Sequence, residues 1–187
     1  MPGTVEKDGN IFLWMPAEEM VMATLENIKA AFAGESQANR KYLAFSEKAD
    51  KEGFKNVARL YRAASQAEAI HAKRELSVMG GIKKTAENLQ GSIEGETDEF
   101  TEMYPAFVEE AKTEGKPEAV AIFTHAMKAE QVHAGLYTKA LEAVLAGKDF
   151  EGAEVFLCPW CGNIEIGKAP ETCPICGEAG KNFIKVE

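Results

Sequence analysis

A four-residue motif that occurs twice constrains this chain more than any other feature of its sequence. The first copy runs from Glu68 to His71 and the second from Glu130 to His133. On an α-helix, residues three positions apart lie about 60° apart around the axis, so the glutamate and the histidine of each copy project from one face. The sequence therefore predicts two helices that each present a carboxylate and an imidazole in the same direction.

A second glutamate precedes each motif at nearly the same separation. Glu35 precedes the first copy and Glu96 precedes the second, so the two halves of the chain repeat. We call the number of positions between equivalent residues of the two halves the shift. The shift is one position greater at the motif, between Glu68 and Glu130, than at the earlier glutamate, between Glu35 and Glu96. One glutamate from each of two helices, plus Glu-x-x-His from each of two others, is the ligand pattern of ferritin-like di-iron bundles. Glu99 is a fifth carboxylate, one turn after Glu96, and it has no counterpart in the first half.

The rest of the chain predicts helices that could carry these residues. Ala-, Glu- and Lys-rich segments bounded by glycine predict four helices, at residues 17–51, 55–79, 86–113 and 118–145. Pro105 predicts a kink in the third helix, because proline leaves the carbonyl of Thr101 without its helical partner. We expect an all-α four-helix bundle followed by a small metal-stabilised domain. The predicted organisation is an N-terminal arm at 1–16, the bundle at 17–147, a linker at 148–154 and the small domain at 155–187.

Charge restricts the functions that are open to the chain. Its 187 residues are 45% hydrophobic and carry a formal net charge of −9, which argues against a nucleic-acid partner. Five carboxylates inside a bundle require compensating cations, because unpaired buried charge costs several kcal/mol per ion. Four glutamates balance two ferrous ions, and a fifth becomes useful when the pair is oxidised. The excess carboxylate therefore favours a metal site that cycles between redox states.

All four cysteines lie near the end of the chain, in two Cys-x-x-Cys pairs: Cys158, Cys161, Cys173 and Cys176. Such pairs form a tetrahedral sulfur site for either zinc or a single iron. A neighbouring redox bundle favours iron, because an electron-transfer site then has something to reduce. The sequence has no secretory signal pattern and no 18-residue apolar run, so we expect a cytoplasmic protein without membrane spans.

Together these segments resemble the rubrerythrin family, whose members join a ferritin-like di-iron bundle to a rubredoxin-like domain. The resemblance covers about residues 20–187 and rests on the segments 31–36, 68–74, 95–105 and 130–133 and on the two Cys-Pro-x-Cys-Gly knuckles. It implies that Glu68 and Glu130 bridge two irons. It also implies that Glu35 ligates one iron, that Glu96 and His133 ligate the other, and that Glu99 and His71 alternate on the first. Tyr42 and Tyr104 fall where the family places hydrogen-bond donors to carboxylates.

The resemblance implies reduction of hydrogen peroxide to water in defence against oxidative stress. Electrons would come from a protein donor, either rubredoxin or an NAD(P)H-dependent reductase, through a rubredoxin-type iron. Family members work as head-to-tail homodimers, and some exchange helices between subunits, so the two hairpins need not come from one chain. Two other functions stay open. One is a ferroxidase or iron-storage protein, and the other is a structural metal-binding protein with a zinc ribbon.

Overall fold

The computed structural model describes residues 3–7, 10–14, 17–152 and 154–187, and it describes side chains from residue 23 onward, except at 153. The chain forms two compact units, Met1–Ile82 and Lys83–Glu187. Of the predicted N-terminal arm, Gly3–Lys7 (β1) and Asn10–Trp14 (β2) form an antiparallel pair, and residues 1, 2, 8, 9, 15 and 16 lie outside the described residues. The predicted domain limits stay predictions.

The first unit contains a hairpin of two long helices, α1 (Ala17–Lys51) and α2 (Lys55–Val78). Both begin at the residue that the sequence predicted. The turn depends on Gly53, whose φ of +88° lies in the left-handed region that favours glycine. There the backbone N–H of Phe54 donates to the carbonyl oxygen of Ala49 at 2.9 Å, which closes the end of α1.

Small side chains form the contact between α1 and α2. Ala58 and Ser46 are almost fully buried, whereas Leu60 is 70% exposed. Asn39 on α1 and Ser65 on α2 add a reciprocal clamp. The Asn39 amide donates to the backbone carbonyl of Ser65 at 2.7 Å, and the Ser65 hydroxyl donates to the carbonyl of Asn39 at 3.0 Å. The two helices therefore approach closely, while large apolar side chains stay on the outside of the hairpin.

The second unit begins with a helix that changes its winding at one point. Helix α3 (Thr85–Asp98) passes into a π-helical turn at Glu99–Met103 and continues as α4 (Tyr104–Thr113). The N–H of Tyr104 donates to the carbonyl of Glu99, five residues back. The next residue, Pro105, has no N–H to donate. The structure therefore has a wider turn where the sequence predicted a kink.

The π-turn accounts for the change in the shift between the two halves. Tyr42, Phe45 and Tyr61 form an aromatic cluster on the first hairpin. A similar cluster lies at the repeat-related positions of the second unit, formed by Tyr104, Phe107 and Phe123. The shift is one position greater at Tyr104 than at Glu96, so one extra residue lies between them. A π-turn holds one more residue than an α-turn, so it is the place where this insertion is absorbed.

The remainder of the second unit consists of α5 (Pro117–Leu145) and a small sheet of order β4–β3–β5. The strands Val155–Leu157 (β3), Ile164–Ile166 (β4) and Ile184–Val186 (β5) are short and antiparallel. Four long helical segments and a C-terminal four-cysteine module confirm the predicted fold class. In the described part of the chain, no helix is long and apolar enough to cross a membrane.

Candidate metal centres

Three predicted ligands come together in the first unit. Glu35 lies on α1, and Glu68 and His71 lie on α2. The Nδ1 atom of His71 is 2.9 Å from Glu68 Oε2 and 3.9 Å from Glu35 Oε2. The hydrogen bond to Glu68, partial burial and the Glu68 charge together raise the pKa of Glu35 above its ordinary value. The hairpin therefore holds two carboxylates and an imidazole close enough to share one cation.

A matching triad lies in the second unit. Glu96 on α3 faces Glu130 and His133 on α5, with His133 Nδ1 at 2.6 Å from Glu130 Oε2 and 3.8 Å from Glu96 Oε2. Burial, followed by the hydrogen bond and charge of Glu130, raises the pKa of Glu96. Burial and the charges of Glu96 and Asp98 likewise raise the pKa of Glu99, which lies in the π-turn beside the triad. These shifts indicate a crowd of carboxylates that a cation would stabilise.

His133 shows that the triad fits a metal. Its Nε2 atom lies 2.9 Å from the carbonyl oxygen of Gly162, so Nε2 must carry the proton and donate it, because a carbonyl oxygen only accepts. In the neutral ring, Nδ1 then presents a lone pair to Glu130 Oε2 at 2.6 Å. Both atoms are hydrogen-bond acceptors and repel each other at this distance, so a cation or a proton must lie between them to stabilise the contact. A metal-ligating histidine commonly donates its other N–H to a backbone carbonyl in this way.

The two histidines differ in how firmly they are held. The His133 side chain is 16% exposed and anchored by the hydrogen bond from Nε2, whereas the His71 side chain is 53% exposed. Among the described residues, Nε2 of His71 has no hydrogen-bond partner. His133 is therefore fixed in orientation, and His71 has more freedom to move.

Three tyrosines lie near the triads. Burial, and then the charges of Glu130, Glu99 and Glu96, raise the pKa of Tyr104. Tyr137, which the sequence did not single out, has its pKa raised by burial and by Glu96 and Glu130. Tyr42 packs against Tyr61 with ring centroids 5.9 Å apart. Within the described residues, neither the Tyr42 nor the Tyr104 hydroxyl donates a hydrogen bond to a carboxylate, so their predicted role stays a prediction.

The four cysteines form a second candidate centre. Cys158 and Cys176 have their Sγ atoms 3.6 Å apart, as do Cys161 and Cys173. A metal–sulfur bond of about 2.3 Å gives a tetrahedron with an edge of about 3.8 Å, so the thiols fit one tetrahedral ion.

The environment of these thiols also suits a bound metal. Burial is the main cause that raises the pKa of Cys161. Burial also acts to raise the pKa of Cys173, but the N–H groups of Cys176 and Ile175 and hydrogen bonds from the Cys176 and Cys161 thiols together outweigh it and lower that pKa. N–H groups pointing at sulfur stabilise thiolates, which are the metal-binding form.

Comparison with known proteins agrees with this geometry. The family model for rubrerythrin matches residues 26–141. Nigerythrin from Nitratidesulfovibrio vulgaris is 37% identical over 187 aligned positions, covering 92% of this chain and 91% of the relative. Rubrerythrin-2 from Clostridium acetobutylicum is 34% identical over 174 positions, covering 86% of this chain and 95% of the relative.

Solved structures of nigerythrin resemble the chain as well. Its mixed-valence form is 39% identical with a TM-score of 0.50, and its fully reduced, all-ferrous form is 38% identical with a TM-score of 0.51. Each match covers 87% of this chain and 86% of the other. The helical hairpins, the Glu-x-x-His triads and the four-cysteine module define a ferritin-like di-iron protein with a rubredoxin-like domain. The chain belongs to the rubrerythrin family, and it carries candidate ligands for both of the iron centres predicted from its sequence.

Proposed function

We propose that the chain is a non-haem di-iron peroxidase that reduces hydrogen peroxide to water in defence against oxidative stress. The observation that carries this proposal is the hydrogen bond from His133 Nε2 to the carbonyl of Gly162. Gly162 directly follows Cys161, so a short path of bonds joins the four-cysteine centre to a ligand of the helical centre. A storage protein or a structural zinc ribbon has no need for such a path.

When bound, the di-iron pair supplies two electrons that, with two protons, convert one hydrogen peroxide into two waters, and the cysteine-ligated iron returns electrons singly. The residues of the chain hold these ions. We assign the bridging positions to Glu68 and Glu130. We assign terminal ligation of one iron to Glu35 and of the other to Glu96 and His133. Two triads of this composition complete a centre whether they come from one chain or from two.

The contrast between the two histidines supports an exchange of ligands at one iron. We propose that His71 ligates the reduced pair and that Glu99 replaces it when the pair is oxidised. His71 is half exposed and free at Nε2 among the described residues, which suits a side chain that leaves the metal. Glu99 lies in a π-turn, where single-turn departures from α-helix often accompany function. Tyr42 and Tyr104 would orient the carboxylates by hydrogen bonds.

We propose that a protein donor, rubredoxin or an NAD(P)H-dependent reductase, docks at the first knuckle. Trp160 is 73% exposed there and, with Cys161 and residues of α5, lines an open cavity of approximately 390 Å³. Electrons could therefore enter beside a metal-ligating thiol.

The assembly we propose is a head-to-tail homodimer in the cytoplasm, with exchange of helices between subunits as one form of it. Each hairpin exposes large apolar side chains, such as Leu60 and Ile70 on the first and Ile122 on the second. A second helical hairpin would cover such surfaces in a closed bundle.

The test compares the full chain with a chain truncated after Gly152. We expect the truncated chain to bind two irons and, once chemically reduced, to be oxidised rapidly by peroxide in a stopped-flow experiment. Its steady-state turnover with a protein donor should be lost or greatly reduced, because the electron path is gone. Equal turnover of both chains with the same donor would rule out the cysteine module as the entry point. A colourless full chain loaded with zinc in its native host would favour the structural alternative.

A further inference from the structure

Glu75 lies on the same face of α2 as two proposed ligands. It follows Glu68 by seven positions and His71 by four. Seven positions turn an α-helix by about 700°, so Glu75 points within about 20° of the direction of Glu68. Side chains on a helix lean toward its N-terminus, so the Glu75 carboxylate leans back toward His71. Glu75 therefore belongs to the side of α2 that carries the first triad.

In the described part of the chain, one oxygen of the Glu75 carboxylate is buried without a partner, although the residue as a whole is partly exposed. Its Oε2 atom is buried and makes no hydrogen bond within the described residues. A buried, unpaired carboxylate oxygen is costly unless a cation or donor reaches it. The charge of Glu75 is also felt at Glu35, where it adds to the larger effects of Glu68 and burial in raising the pKa. One oxygen of the carboxylate is therefore unpaired in the described structure, on a side chain near enough to Glu35 for its charge to act there.

The internal repeat shows that Glu75 has no equivalent in the second unit. The shift that relates Glu68 to Glu130 also relates Glu75 to Tyr137. Glu99 in turn has no counterpart in the first unit. Each unit thus has one carboxylate in addition to its triad, Glu75 in the first unit and Glu99 in the second, at positions that the repeat does not relate. Six carboxylates match the charge of two ferric ions, whereas four match two ferrous ions.

We propose that Glu75 is a sixth carboxylate ligand of the di-iron centre, recruited when the pair is oxidised. This rests on the proposed function, because it needs an iron pair that changes charge. It predicts selectivity for trivalent over divalent ions that depends on Glu75.

The experiment measures retention of Mn²⁺ and Ga³⁺ by the full chain, since these hard ions have the charges of ferrous and ferric iron and prefer oxygen ligands. We compare wild type, Glu75→Gln and the exposed control Glu47→Gln. Glu75→Gln should weaken Ga³⁺ binding by about tenfold or more, as loss of a supporting carboxylate does. Its Mn²⁺ binding should stay within about threefold of wild type, the range of a surface-charge change. Equal effects on both ions, or effects no larger than those of Glu47→Gln, would overturn the proposal.

Unfolding of the metal-free chain gives a second measurement. Glu75→Leu should raise its melting temperature, because the change replaces a buried, unpaired carboxylate oxygen with apolar atoms. A melting temperature of the variant at or below that of wild type would mean that the carboxylate already has a partner without metal. This result would also overturn the proposal. Oxidation of reduced wild type by peroxide is recorded separately. If peroxide does not oxidise the reduced protein, the proposed peroxidase function is wrong. The ratio of Ga³⁺ to Mn²⁺ affinity would still test the role of Glu75.

Discussion

Deleting Glu99 tests whether the π-turn is an insertion in an otherwise repeated hairpin. In α1, Glu35 and Tyr42 are seven positions apart, which brings them within about 20° of one another around the helix. Glu96 and Tyr104 are eight positions apart. In a continuous α-helix they would diverge by about 80°. The π-turn takes up this difference, so removal of one residue should restore the spacing of the first half.

Pro105 must change together with the deletion. Its counterpart in α1 is Leu43, just as Tyr42 is the counterpart of Tyr104. Once the π-turn is gone, Pro105 would occupy the interior of a regular helix, where proline costs about 3 kcal/mol. We therefore expect the single deletion to be destabilised by about that amount. The deletion combined with Pro105→Leu should recover most of the loss.

The combined variant should still bind two irons, because Glu96, Glu130 and His133 keep their relative positions. It should be oxidised by peroxide more slowly than wild type and resemble Glu99→Ala, since both lack the fifth carboxylate. The assays are iron stoichiometry, urea unfolding and stopped-flow oxidation, with Glu99→Ala as the control that keeps the π-turn. Loss of iron from the combined variant but not from Glu99→Ala would refute the reasoning, because the π-turn itself would then be needed to position the triad.

Three further predictions follow from the triads and the hairpin. Glu68→Ala or Glu130→Ala should abolish stable binding of two metals, because a bridging residue holds both ions; native stoichiometry by metal analysis would contradict the bridging assignment. Asn39→Ala should lower the free energy of unfolding by about 1–3 kcal/mol by removing a part-buried clamp, and a urea midpoint equal to that of wild type would show that the clamp is not needed. The metal-free chain should lose stability as pH rises from 4.5, since Glu96 and Glu99 have raised pKa values and the folded state therefore binds more protons than the unfolded state. Urea unfolding at pH 5 and 7 measures how the free energy of unfolding depends on pH, and Glu99→Gln should weaken that dependence.

Much of the helical architecture was predictable because its signals are local. Gly53, Gly80, Gly115 and Gly147 all have positive φ and end the helices where the sequence predicted. The Glu-x-x-His spacing identified two of the three residues that meet in each triad, since three-residue spacing fixes a common helix face, and the internal repeat identified the third. The π-turn had a sequence signal as well, in the one-position change of shift between the halves, but Pro105 alone suggested a kink.

Contacts between distant parts of the chain had no such signal. Gly162 meets His133 across a long stretch of sequence, through a backbone carbonyl that no residue type reveals. Glu75 resembled the many surface glutamates of Ala-rich helices, and only the burial of its Oε2 atom distinguishes it. Such features depend on how the helices and the cysteine module pack, and pairwise sequence patterns do not encode that packing.

Among the described residues, each unit brings three candidate ligands within 4.8 Å of one another, and the bridged centre proposed above needs both triads. Ligand binding and association are then thermodynamically linked, because ions that bind the joined triads stabilise the joined state. An ion present at about 100 times its dissociation constant, and without affinity for the separate triads, would contribute about 2.7 kcal/mol to their association; affinity for a separate triad reduces this amount. Iron supply would thereby control the fraction of protein that is assembled. In a cell without iron, the proposed centre would lose this stabilisation, and a larger share of the protein would stay unassembled.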